Sequence, residues 1–203
     1  MRRIASNAAA FMIAAFVGGC MSPASHLYTL TPAPATAAAQ APCNVSVVVG
    51  PVSVPAVVDV PQIVLSTGPN QVAHDEFNRW ASPLQSNIAR VVAEDLVTML
   101  GTPRVTLFQQ AAASTKHDYR VAIEVQSFES ALGEAATLNA VWVVHRVSDG
   151  QTQTGRTSAR EAITQKGYDA LVAAHSRAID RMSQDIADTI RALERAHPSS
   201  PAG

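Results

Sequence analysis

SPLQSNIARVVAEDLVTMLGTP, residues 82–103, carries the clearest local signal in the chain. Ser82 stands where a helix N-cap belongs, Pro83 at the first helical position, and Gln85 at capping-box spacing from the serine. Leu84, Ile88, Val91, Val92, Leu96, Met99 and Leu100 then recur at helical spacing, and Gly101 and Pro103 end the run. The stretch predicts a helix with one apolar stripe, which needs an apolar partner surface.

The flanking sequence supplies that surface. Residues 168–196 predict a second helix, with Leu171, His175, Ala178, Ile179, Met182, Ile186, Ile190 and Leu193 on one stripe and His197-Pro198 marking its end. Tyr119, Val121, Ile123 and Val125 alternate with Arg120, Ala122, Glu124 and Gln126, the pattern of a strand with one buried face. Residues 137–147 are apolar on both alternating sets, through Ala140, Val141, Trp142, Val143 and Val144, and predict a central strand covered on both sides. The turn Ser148-Asp149-Gly150 leads into residues 152–163, whose Thr154, Arg156, Ser158, Arg160 and Glu161 indicate an edge or an exposed face.

Upstream of the first helix, Val45 to Val49 and Val52 to Val54 suit a strand bent at Gly50-Pro51. Gln62-Ile63-Val64-Leu65 is a second short strand, the turn signal Ser66-Thr67-Gly68-Pro69-Asn70 follows, and residues 71–77 return as a hairpin. Val105-Thr106-Leu107-Phe108 is a strand, and residues 109–118 a polar connection. No internal repeat is present. The pattern is α+β: a single domain with a mostly antiparallel or mixed sheet and two long amphipathic helices packed on it.

The N-terminus is of another kind. Arg2 and Arg3 precede an apolar run too short to span a bilayer comfortably, the layout of an export signal. Ile4-Ala5 fits the folded-protein export route poorly, which favours the general secretory route. The run ends in Val17-Gly18-Gly19-Cys20, the pattern of a lipobox, in which the Cys20 thiol takes diacylglycerol and its new amino group a third chain after cleavage. Several chains matter, because each buried methylene contributes about 0.8 kcal/mol and a single chain holds only marginally. The alternatives are a secreted chain with an incidental Cys20 and a retained anchor helix.

The expected division is a signal peptide (1–19), the lipidated Cys20 with a short tether (20–26), the α+β domain (27–197) with a Pro/Ala-rich loop at 32–42, and a disordered tail (198–203). Leu27-Tyr28-Thr29-Leu30 opens the domain as a short strand. From Cys20 to Leu27 the chain reaches roughly 25 Å at most, so the domain sits close to its membrane.

Composition excludes several classes. Charged residues are 15 % of the 203 and the formal net charge is −1, so no basic field exists to hold nucleic acid. Lipidation of Cys20 leaves Cys43 alone, either a shielded thiol or an intermolecular disulfide. The histidines at 26, 74, 117, 145, 175 and 197 have no metal-ligand spacing, and His175 on its apolar stripe is a core histidine. His74-Asp75-Glu76 is the best polar cluster, but neighbours on a strand point to opposite faces. No Gly-x-Ser-x-Gly nucleophile and no Gly-rich phosphate loop occur, so no catalytic residue, metal or cofactor is expected. If ATP powers the system, another protein binds it.

Three pieces together resemble one family: the lipobox, the Tyr28-Thr29-Leu30 segment, and Pro61-Gln62-Ile63-Val64 followed by Asn78-Arg79-Trp80-Ala81-Ser82-Pro83-Leu84. They are similar to the PqiC-type lipoproteins, the ABC-type transport auxiliary lipoprotein component, over essentially the whole mature chain. The chain departs from that family in carrying Ser82 where Glu or Asp is common, and Asp59-Val60 where an arginine tends to precede Pro61. The resemblance implies a non-enzymatic part of an MCE-type system that moves lipid between the two membranes, beside an MCE-domain protein, an inner-membrane transporter component and, in some systems, an ATPase. It is compatible with a homo-oligomer, since a ring would surround or extend a tunnel. Met21 after the cysteine is not the aspartate of inner-membrane retention, so the outer membrane is the expected site. The rival is a structural or assembly lipoprotein that does not handle lipid. Arg79, Trp80, Pro83 and Leu84 are the candidate docking or structural motif; Trp80 either covers the helix end against the sheet or docks a partner.

Overall fold

Period-two alternation builds the larger of two sheets. The computed structural model describes residues 24–34, 41–111 and 116–196. In it five strands pair in the order β5 (Val105–Leu107), β2 (Val47–Ser53), β6 (Tyr119–Ala131), β7 (Ala135–Arg146) and β8 (Thr152–Ala162). β6, β7 and β8 form an antiparallel meander, and β2 runs parallel to both its neighbours, giving the mixed sheet that was expected. Gly50 and Pro51 fall where the β2 register against β6 shifts, between Val49 and Val52.

Both helices cover one face of this sheet. α1 (Leu84–Leu100) packs on β2 and β5 and against α2 (Tyr168–Ala196), which lies across β7 and β8. The stripe of α2 from Leu171 to Leu193 is buried throughout, and so are Leu84, Ile88, Val91, Val92, Leu96 and Leu100 of α1. Gly101 ends α1 in a left-handed conformation (φ 65°), and a Cβ there would meet Pro42 at 3.2 Å.

A second sheet stands apart, in the order β1 (His26–Tyr28), β4 (Gln71–Trp80), β3 (Gln62–Gly68). β3 and β4 are the expected hairpin, turning at Pro69 and Asn70, while β1 runs parallel to the far end of β4 with Leu27 opposite Arg79 and Tyr28 opposite Trp80. β3 packs on β6, so the small sheet is laid against the large one.

Three expectations change. The strands form two sheets instead of one, because β1 to β4 pairing is long-range and leaves no period in the sequence. α1 starts at Leu84, with Pro83 extended at the cap (ψ 133°) and no side-chain cap bond from Ser82. The reason lies upstream: Trp80 N–H donates to Pro61 O and Ala81 N–H to Tyr28 O, so the chain belongs to the small sheet through Ala81. β7 is buried on one face only; Thr137, Asn139, Val141, Val143 and His145 are half-buried. Cross-strand neighbours such as Glu124 and Arg156 beside Val141 shield that face without a covering layer. β8 is the edge, with Thr157, Ala159 and Glu161 turned under α2.

Cys20, residues 1–23, the middle of the Pro/Ala-rich loop and the tail lie outside the described residues. The two ends of that loop are placed: Thr31 and Ala33 on the helices, and Ala41 through its carbonyl, which accepts from Arg191 at 2.9 Å. Cys43 is half-buried, its Sγ 3.5 Å from the same guanidinium.

Candidate functional site

The candidate motif straddles the junction between the sheets. Trp80 is the last residue of β4 and is 6 % exposed, its indole edge-on to Phe128 of β6 (6.2 Å) and to His175 of α2 (6.4 Å). Leu84 is buried in the core, whereas Arg79 is half-buried and Pro83 exposed. The structure thus separates the motif into two core residues and two surface residues.

Behind Trp80, His175 stacks on Phe128 at 3.9 Å and shares a 2.8 Å hydrogen bond with the Ser130 hydroxyl. Burial pushes the imidazole down to about 3, and its Nδ1 has no partner. A serine–histidine pair invites a catalytic reading, but both residues are buried and no carboxylate orients the ring. The pair is a core feature. Among the described residues no group of His, Cys, Asp and Glu could hold a metal ion.

Asp75 did converge with partners, although not with His74 or Glu76. Its Oδ1 accepts from the backbone N–H groups of Phe77 and Asn78, both at 2.9 Å, and from the Asn78 amide at 3.0 Å, while the Tyr168 hydroxyl donates to Oδ2. Desolvation pushes this carboxyl up, yet these donors outweigh it and hold it below its ordinary range. Tyr28 donates to Asn78 Oδ1 at 2.9 Å and packs on Tyr168 at 5.8 Å. The hub thereby ties β1, β4 and the start of α2 together.

The segment leading in from the N-terminus is held just as firmly. Leu30 is fully buried, and its carbonyl accepts from Arg90 at 2.6 Å. Thr31 N–H donates to Ser176 Oγ at 3.1 Å, and Ala33 N–H to Asp95 at 2.9 Å. Asp95 also accepts from Ser183 at 2.8 Å, and desolvation pushes its carboxyl up to about 6 despite those two bonds. An aspartate inside the apolar stripe of α1 was the available signal for this site.

Among the described residues, three concavities stand out. A cleft of about 360 Å³ lies between the 55–58 loop, the β3–β4 tip and β6; a groove of about 240 Å³ follows Gly50 and Phe108; a polar trough of about 670 Å³ runs between β8 and α2. In the trough Arg177 and Arg181 both pair with Glu161. Among the described residues no helix is long and apolar enough to cross a membrane.

Comparison with known proteins gives this arrangement relatives. Residues 28–187 match the family described as the ABC-type transport auxiliary lipoprotein component. The fold is similar to the crystal structure of protein XCC0632 from Xanthomonas campestris, with a TM-score of 0.71 and 18 % identity over 86 % of this chain and 100 % of that one. It is also similar to the crystal structure of an uncharacterized protein, with a TM-score of 0.67 and 21 % identity over 83 % of this chain and 99 % of the other. No curated protein sequence matches it.

Proposed function

Because the chain belongs to the ABC-type transport auxiliary lipoprotein family, we propose that it is the non-enzymatic, lipid-anchored component of an MCE-type system moving lipid between the envelope membranes. The observation that carries this reading is the family match over residues 28–187 on a chain that also holds Val17-Gly18-Gly19-Cys20. Cys20 is the attachment point, with residues 1–19 removed as a signal peptide. Met21 in place of aspartate supports the periplasmic face of the outer membrane. There the short tether holds the domain where it can meet an MCE-domain protein reaching across from the inner membrane.

The test is to purify the lipidated protein from its own membranes in mild detergent and identify what copurifies by mass spectrometry. An MCE-domain partner, depleted by Cys20→Ala, is the expected result. A partner from an unrelated envelope assembly would overturn transport in favour of a structural role.

A further inference from the structure

Four of the eight large apolar side chains exposed among the described residues belong to the small sheet or the loop facing it: Leu27, Val57, Val72 and Phe77. Leu27 and Phe77 lie toward the β1 end of β4, and Val57 and Val72 at the end with the hairpin tip. Val57 and Val72, each 50 % exposed, rim the cleft of about 360 Å³, whose lining includes Pro55, Val58, Val64 and Phe128. Its volume is at the small end of the roughly 300–1,000 Å³ of ligand pockets. No arginine or lysine lines it and the Glu129 carboxylate at its wall would repel a phosphate, so the valine, proline and phenylalanine side chains suit an acyl chain instead.

The direction of the chain says what lies in front of this cleft. β1 is parallel to β4, so upstream of His26 the chain leads back toward the hairpin tip. The seven residues from Cys20 to Leu27 span roughly 25 Å at most. An anchor at Cys20 therefore keeps β1, and the small sheet that it joins, within that distance of the bilayer. Asp75 and Glu76 stand on β4 beside the single cation Arg79, so apolar contact and not charge would drive the approach.

We infer that the β3–β4 hairpin end is the membrane-contact face of the domain, with Val57 and Val72 entering the leaflet and the cleft between them taking an acyl chain of that bilayer. This rests on the anchor at Cys20. The experiment uses the full protein purified from its own membranes, its acylation read by mass, as the variants Val57→Trp, Val72→Trp and Val147→Trp. Val147 bonds to Asp118 at the far end of β6, about 25 Å along the strand from Gln126. Each variant is reconstituted into phosphatidylcholine vesicles with brominated acyl chains. Val57→Trp and Val72→Trp are expected to lose at least half of their added emission, and Val147→Trp none beyond the background of the buried Trp80 and Trp142. Acylated protein that floats with the vesicles but quenches equally at all three positions would overturn the inference and leave the anchor intact. Protein without acyl mass on Cys20 that fails to float would overturn the anchor, and this inference with it.

Discussion

Every second residue of β7 from Leu138 to Arg146 is buried beneath the helices, whereas β4 is exposed or half-buried from Gln71 to Arg79 and buries only Trp80. The large sheet is stabilised by area: alternating side chains meet a helix stripe and exclude water over its whole length. The small sheet has little such area. It is held by Trp80, by Ile63 and Val64 of β3 against β6, by the Asp75 hydrogen bonds and by Leu30. A region held this way can leave Leu27, Val57, Val72 and Phe77 in the open without cost to the core.

The contrast can be broken at its hinge. Trp80→Ala removes the aromatic contact between the sheets and is expected to cost about 3–5 kcal/mol in chemical denaturation. It should destabilise the fold more than it weakens partner binding; an unchanged midpoint with lost binding would assign Trp80 to docking instead. Gly155→Ala tests the large sheet, because a Cβ there would meet the Trp142 indole at 2.1 Å. Displacing that buried ring is expected to cost about 1–3 kcal/mol, and an unchanged melting temperature would show that the indole swings clear.

Asp95 sharpens the comparison in the other direction, since there the helix pair buries a charge to hold Ala33. Its folded value, about 6, lies above the unfolded one, so its contribution to stability is present at low pH and is lost as pH rises through about 6. Asp180 and Glu94 add to that upward push. Relative to wild type, Asp95→Asn is expected to gain about 1 kcal/mol between pH 5 and pH 7.5, read as the difference in unfolding free energy. A constant difference across that window would refute the assignment. The smallest effect is expected at Tyr168→Phe, about 1 kcal/mol, because Asp75 keeps three other donors. Faster amide exchange should then appear in β4 and not in β7; uniform acceleration would mean that the two sheets open as one.

The helices were legible because a stripe at 3.6-residue spacing needs only local sequence, and α2 matches its expected span of 168–196. The cap was misplaced by competition between levels: Ser82-Pro83 has the local form of a helix start, but backbone bonds at Trp80 and Ala81 keep the chain in the sheet. β7 reads as covered on both faces because Val141 and Val143 are apolar; the sequence does not carry the cross-strand polar neighbours that suffice to shield them. Within the candidate site Trp80 could be singled out by residue type and position. The Asp75–Tyr168 link could not, since it joins residues 93 apart.

By itself the sequence determined what depends on neighbours along the chain: the α+β class, two amphipathic helices, the edge character of β8, and the family that Arg79-Trp80 and its surroundings signal. Tertiary structure alone decided what depends on distant pairing. It divided the strands into two sheets, ran β1 parallel to β4, and brought the 55–58 loop, the hairpin tip and β6 around one cleft. The physical reason is that periodicity records which face of an element is buried, whereas partner choice between strands comes from the free energy of the whole packed chain.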